Sequence, residues 1–332
     1  MRKTALTLPL SVLSKKSSRA QKSIMNSPRF GMPSSVQIEV TSRCNIHCKL
    51  CMRNIDPARI LDSDMSLDFF KSLIGQLRGR TQNVSLVGLG EPMLHPEIFS
   101  MIRFAKENGL EVSLIDNFTM INREKTLALI ESRLDFLYVS FDNVSKAAFE
   151  ERRTGACFET VVENIKLFVK TRHEVKANHP FFLFKSTIAQ DNCAEIPALI
   201  KFAENLGADG INFGKMMNED NPPFPKEEEL TKSKIAVYPC ELGEFYQCDA
   251  TRGCYVTFDG KVLPCGLMAE SVSRARYPQL QLGDLTSDTI SNIWRSSGFR
   301  QLRKKIESGE YLPECETCGG YKTIKKSHSK RP

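Results

Sequence analysis

Residues 36–51 read VQIEVTSRCNIHCKLC, and this stretch decides the fold. In positions 36–40 apolar residues alternate with Gln37 and Glu39, the period of a β-strand. A cysteine-rich loop follows at once, with Cys44, Cys48 and Cys51 at x3 and x2 spacing. Thiolates are what iron–sulfur clusters require, and a set of three wraps a cubane while leaving one iron open for chemistry. The competing reading is a zinc knuckle completed by His47, for which the first spacing is unusual.

Working outward, β-like and helical segments alternate. Strands are expected at 36–40, 84–87, 111–115, 136–141, 181–188 and 210–213. Apolar residues at helical spacing mark 67–77, 96–107, 123–132, stretches within 145–170, and 194–205. Ser66 caps the first of these, and Asn108-Gly109 and Leu206-Gly207 stop two others. Six strand–helix units demand parallel strands joined by right-handed crossovers. Six is fewer than the eight of a closed α/β barrel, so the fold class is α/β, as a partial (β/α)6 TIM-like barrel or an open doubly wound sheet. In both, loops leaving the C-terminal ends of the strands carry the chemistry.

Residues 216–237, with Asn221-Pro222-Pro223-Phe224-Pro225, read as a linker. Beyond it, 254–258 and 261–265 flank Asp259-Gly260, a signal for a two-residue hairpin. A helix near 286–307 and the pair Cys315 and Cys318 complete the chain's ordered part. The domains are therefore a disordered basic arm at 1–35, an α/β domain at 36–215, the linker, a small hairpin-and-helix domain at 238–320, and a basic tail at 321–332.

The formal net charge of +7 belongs to the ends. Residues 1–38 hold seven Lys/Arg and 319–332 five more, with no acid in either; positions 39–320 keep 34 basic against 39 acidic residues. A mildly acidic body argues against a nucleic-acid partner. No apolar run approaches the roughly 20 residues of a membrane helix. The N-terminal arm has the outline of a processing or transit signal, but Thr7 and Pro9 interrupt its short apolar stretch, and a plain cytosolic extension fits as well. Of eleven cysteines, three lie in 44–51 and six in 240–318. Such clustering indicates metal ligation in a cytoplasmic enzyme rather than disulfide bonding.

The Cys44/Cys48/Cys51 spacing after a first strand resembles the signature of the radical S-adenosylmethionine (SAM) superfamily, and further matches follow in chain order. Gly88-Leu89-Gly90-Glu91-Pro92 after the second strand is similar to the family's glycine–glutamate–proline segment, which implies that Gly90 and Glu91 hold the methionine ammonium. Asp116-Asn117-Phe118 resembles its Thr-Asn-Gly turn, with Asp and Phe in place of Thr and Gly, and implies a cofactor role for Asn117. Ser140-Phe141-Asp142 is similar to its Ser-x-Asp segment, with Arg153 downstream implied as partner of the cofactor carboxylate. Leu50 stands where an aromatic is common. The resemblance covers about 36–215 and implies the partial barrel, a SAM-binding 4Fe–4S cluster, and cleavage of S-adenosylmethionine to a 5′-deoxyadenosyl radical.

Cys248, Gly260 and Cys265, followed by Cys315 and Cys318, resemble the SPASM or shorter twitch extension of that superfamily. The resemblance implies one auxiliary 4Fe–4S cluster. In a two-residue hairpin Cys254 sits opposite Cys265, so Cys254 and Cys240 remain alternatives to Cys248, and a structural zinc is the alternative metal. Cys193, after the fifth strand, and Cys157 read as structural. The whole implies hydrogen abstraction from an unactivated carbon of a small-molecule or peptide substrate, giving dehydrogenation, epimerisation or peptide maturation. It further implies an electron donor such as flavodoxin or ferredoxin. The rival is a non-catalytic metal-binding scaffold.

Overall fold

The computed structural model describes residues 31–55, 61–216, 230, 233–238 and 248–315. The N-terminal arm through residue 30, the tail, Cys240 and Cys318 lie outside the described residues.

Among the described residues, ten strands form one sheet in the order β10-β9-β8-β1-β2-β3-β4-β5-β6-β7. They are β1 (Ser35–Ile38), β2 (Asn83–Leu86), β3 (Glu111–Asp116), β4 (Phe136–Ser140), β5 (Phe181–Ile188), β6 (Gly210–Lys215), β7 (Ala236–Tyr238), β8 (Gly253–Val256), β9 (Lys261–Leu263) and β10 (Gly283–Asp284). Strands β1 to β7 run parallel in sequence order, as the repeated strand–helix pattern requires. The crossovers use α2 (Leu67–Leu77), α3 (Ile98–Glu107), α4 (Arg123–Glu131), α5 (Lys146–Arg152), α6 (Phe158–Glu174) and α7 (Ile196–Asn205), while α1 (Met52–Ile55) closes the cysteine loop. The Ser66 hydroxyl accepts from the Phe69 amide and starts α2 where its sequence signal stands.

The outer face of the sheet is apolar and buried: Val36, Ile38, Val84, Leu86, Val112 and Leu114 pack against Leu73, Ile74, Leu77, Met101 and Ile102 of the helices. Phe182 and Phe184 of β5 are fully buried among Phe118, Phe141 and Phe168, so the phenylalanine run of that strand is core. The inner face is polar, with Gln37, Ser85 and Ser113 in one cross-strand row and Ser140, Lys185 and Asn212 in another. Side chains that alternate along each strand divide the two faces.

Two features depart from the sequence reading. The stretch taken as linker runs at its end into the seventh parallel strand, β7, which reaches one residue past it and pairs Gly210↔Ala236 through Asn212↔Tyr238. Three residues are too few to show periodicity beside a Pro-rich segment. The C-terminal cysteine region shares the barrel's sheet: β8 pairs in parallel with β1, Ser35↔Gly253 through Ile38↔Val256. Its hairpin then extends the sheet through β9 and β10. The C-terminal part adds α8 (Gly266–Ser271), α9 (Tyr277–Leu280), α10 (Ile290–Trp294) and α11 (Ser297–Ser308).

Candidate active site

The loop after β1 carries Cys44, Cys48 and Cys51, all half-buried. Ile46 is buried and anchors it. The His47 and Lys49 amides donate to the Thr154 and Arg152 carbonyls, so the end of α5 holds the loop's far side. His47, Lys49 and Leu50 are exposed on this loop. Burial pushes the Cys44 thiol up to about 12 and the Cys51 thiol up to about 11, and raises Cys48 as well. Three neighbouring thiols that resist ionisation alone fit a metal, whose charge reverses that preference.

The neighbouring loop fits by close backbone approach. A Cβ on Gly90 would lie 2.1 Å from the Thr41 carbonyl oxygen. The Glu91 amide donates to the Arg43 carbonyl at 2.7 Å. The Glu91 carboxylate, which the resemblance aims at an ammonium, is turned into the frame. Its Oε1 accepts from the Met93 amide at 3.0 Å and its Oε2 from the Asn117 amide at 2.8 Å. Asn117 is likewise committed: its Nδ2 donates to Asn45 Oδ1 at 2.9 Å, and its Oδ1 accepts from the amide and hydroxyl of Thr119. Asn45, passed over in the sequence, lies between the first two cysteines and also donates to Thr119 Oγ1. These side chains position the cysteine loop.

Arg153, its side chain 12% exposed, stands near Cys48. Its Nη2 donates to Asp142 Oδ2 at 2.6 Å, and Asp142 Oδ1 accepts from the Thr187 amide. Burial opposes the guanidinium charge, but Asp142 and the adjacent Cys48 outweigh it and hold its pKa above the usual value. Among the described residues, the Arg153 Nε is buried without a partner. A desolvated cation with an unused donor fits an anionic group such as a cofactor carboxylate. Ser140 ends β4 on the inner face, in register with Lys185.

The C-terminal lobe closes the inner face. Arg274 pairs with both oxygens of fully buried Glu39, and Glu39 Oε1 accepts from the Leu89 amide. The Arg274 guanidinium also lies 5.4 Å from the Phe258 ring centroid and 5.2 Å from that of Tyr277. Glu270 of α8 accepts from Gln37 Nε2 at 2.7 Å. Burial pushes Glu270 up to about 7, with Gln37 and Lys185 opposing. A signal for this cluster was present: Gln37 and Glu39 alternate within a strand otherwise built of Val and Ile.

Of the C-terminal cysteines, Cys248 and Cys265 pack beside Ala250, Leu302 and Ile306, and Cys265 and Cys315 beside Leu263 and Met268. The Cys265 sulfur accepts from the Met268 amide and caps α8. Cys254 lies elsewhere, buried in the core with Val36 and Val256. The hairpin register explains it. Tyr255 pairs with Leu263, and Thr257 meets Lys261 around a three-residue loop that ends on Gly260 at φ +85°. The expected two-residue turn would have placed Cys254 opposite Cys265; a shift of one residue sends it to the other face.

Among the described residues, three possible ligand atoms lie within 4.8 Å of one another only at Glu150, Cys157 and Glu159, where Lys146 sits on both carboxylates and makes the group an ion-pair cluster; the sulfurs of Cys44, Cys48 and Cys51 are not drawn that close. Cys193 follows β5, where its thiol donates to the Gln190 carbonyl at 3.4 Å. No helix among the described residues is long and apolar enough to cross a membrane.

The geometry agrees with comparisons to known proteins. Residues 38–186 match the model of the radical SAM superfamily, and 248–319 match an iron–sulfur cluster-binding domain, SPASM. A tungsten-containing aldehyde ferredoxin oxidoreductase cofactor-modifying protein from Pyrococcus furiosus is 22% identical over 312 residues, 85% of this chain and 86% of that one. A PqqA peptide cyclase from Gluconobacter oxydans is 24% identical over 313 residues, 86% of this chain and 82% of that one. The crystal structure of Streptococcus suis SuiB bound to S-adenosylmethionine superposes with a TM-score of 0.67 at 14% identity. That superposition covers 94% of this chain and 79% of SuiB, a likeness of fold.

Proposed function

The chain belongs to the radical SAM superfamily and carries its SPASM-type iron–sulfur domain, and from that premise we propose that Cys44, Cys48 and Cys51 hold the cluster that binds S-adenosylmethionine. The protein is an enzyme whose cofactors are S-adenosylmethionine and 4Fe–4S clusters. When bound and reduced, they supply a 5′-deoxyadenosyl radical that takes hydrogen from an unactivated carbon. The observation that carries the assignment is the set of three half-buried thiols on one loop, bordered by Gly90 on the next strand's loop and by the unpaired Arg153 Nε.

Each surrounding residue then has a task. Gly90 admits main chain against main chain at the loop edge. Glu91 and Asn117 lock the loops after β2 and β3 to the cysteine loop. Arg153, held by Asp142, offers its free donor to the methionine carboxylate, and Ser140 lines the inner face beside it. Cys248, Cys265 and Cys315, with Cys318, hold one auxiliary 4Fe–4S cluster. Packing of the first three around shared apolar neighbours supports this.

The substrate is a hydrophilic small molecule or a peptide, bound on the polar inner face between the cysteine loop and Glu270. Gln37, Lys185 and Asn212 give that face both donors and acceptors. The two relatives' names divide between cofactor modification and peptide cyclisation, in keeping with either class. Electrons come from a flavodoxin- or ferredoxin-type donor.

Anaerobic reconstitution followed by incubation with S-adenosylmethionine and dithionite tests the core assignment. Wild-type protein should release 5′-deoxyadenosine; Cys44→Ala, Cys48→Ala and Cys51→Ala should each release none, because three thiolates leave no spare ligand. Release at the wild-type rate by any of the three variants removes that cysteine from the site. No release by the wild type would favour a metal-binding scaffold.

A further inference from the structure

A short turn of the C-terminal lobe reaches toward both cysteine regions. Arg274–Arg276 forms a single 3₁₀ turn between α8 and α9, begun by Ser273, whose hydroxyl accepts from the Ala275 amide at 3.1 Å. On one side Arg276 pairs with Glu314, the residue before Cys315. On the other, Arg274, its side chain 10% exposed, engages both oxygens of fully buried Glu39. Tyr277 follows the turn and packs in the cluster that Cys265 and Cys315 border, and its hydroxyl donates to the Ala269 carbonyl at 2.6 Å. The turn is thus built into the lobe that carries the C-terminal cysteines.

The loop after β2 rests on the same carboxylate. Glu39 Oε1 accepts from the Leu89 amide at 3.1 Å. A Cβ on Gly88 would lie 2.5 Å from Glu39 Cγ and 2.7 Å from the Tyr255 hydroxyl, so the loop's main chain lies directly on both side chains. Leu89 leads into Gly90, whose backbone abuts the Thr41 and Arg43 carbonyls at the edge of the cysteine loop. A buried amide that loses its acceptor costs more than an average hydrogen bond contributes, so the loop sits where Glu39 holds its oxygen. A carboxylate buried this fully is in turn kept in place by its cation.

We propose that Glu39 is a positioning residue for the loop 88–91, and that Arg274 makes its position depend on the seated C-terminal lobe. Coupling of this kind is reciprocal: a lobe that favours cofactor binding is itself steadied by the bound cofactor. The hold on the loop stands on the hydrogen bonds alone; its effect on S-adenosylmethionine affinity rests on the proposed cofactor site.

Hydrogen exchange, read by mass spectrometry on the anaerobically reconstituted protein, tests the arrangement. Glu39→Gln with Arg274→Met removes both charges together and keeps an acceptor for the Leu89 amide. Glu39→Met with Arg274→Met removes the acceptor as well. Without cofactor, 87–91 should exchange at least about tenfold faster in the second double variant than in the first, with β4 and β5 alike in both. Equal exchange at 87–91, or a difference spread over β4 and β5, overturns the positioning role. S-adenosylmethionine added to the wild type should slow exchange at 266–280 as well as at 87–91; in the first double variant only 87–91 should respond. A lobe that ignores the cofactor in the wild type, or still responds without Arg274, overturns the coupling. By calorimetry the second double variant should bind S-adenosylmethionine at least about tenfold more weakly than the first, and equal affinities count against Glu39. If the wild type itself binds none, the cofactor-site reading fails, while exchange at 87–91 still decides whether Glu39 positions the loop.

Discussion

Arg274 closes on Glu39 across 235 residues of sequence, its guanidinium engaging both oxygens of a carboxylate with no exposed surface. The pair fastens the segment after α8 to the first strand, and the same Glu39 oxygen holds the Leu89 amide at the edge of the proposed cofactor site.

Arg274→Ala should therefore destabilise the whole protein, because it leaves Glu39 buried and unpaired. Breaking a buried pair from one side costs about 3–5 kcal/mol. Urea unfolding of the variant should show a lower midpoint with an unchanged slope. A midpoint equal to wild type would mean that the lobe is not fastened by this contact.

Gly90→Ala should abolish S-adenosylmethionine binding while leaving the auxiliary iron in place. Its methyl would meet the Thr41 carbonyl oxygen at 2.1 Å and the Arg43 carbonyl oxygen at 2.8 Å, both rigid backbone. Such overpacking costs about 1–3 kcal/mol, and it falls on the contact that sets the two loops side by side. Wild-type affinity by calorimetry would separate Gly90 from the site.

Cys254 and Cys265 should behave oppositely. In a background lacking Cys44, Cys48 and Cys51, anaerobically purified protein should keep about four irons. Adding Cys254→Ala should leave that iron, since Cys254 packs in the core with Val36. Adding Cys265→Ala should remove it. If the background protein is colourless and holds about one zinc, the second site is structural.

Glu270 gives a pH dependence with a defined sign. Its folded-state pKa is raised to about 7 from 4.5, chiefly by burial. The folded state therefore holds a proton that the unfolded state releases, so the contribution is full below about pH 4.5 and lost as pH rises toward 7. Glu270→Gln keeps an acceptor for Gln37 and should flatten this slope, gaining up to about 3 kcal/mol above pH 7. Denaturant midpoints from pH 5 to 8 that run parallel for the two proteins would count against a buried Glu270.

Much of the chemistry was legible in the chain because it is local. The x3 and x2 cysteine spacing, the Gly90-Glu91 pair after a second apolar strand, and the alternation of strand and helix periods all lie within short windows. They determine a parallel α/β sheet with a thiol-bearing loop at the end of its first strand. What each side chain does at that loop was decided by contacts between distant segments. Glu91 and Asn117 read as cofactor ligands in sequence; only the fold shows that they also hydrogen-bond to backbone amides and to Asn45, joining the loops after β2 and β3 to the cysteine loop. One extra residue in the hairpin loop sends Cys254 into the core, since side chains on a strand change face with every residue. Likewise, no local pattern states that β8 lies beside β1 or that Arg274 finds Glu39. Periodicity reports which face of an element is apolar; which elements share a buried charge is decided only when the whole chain excludes water from it.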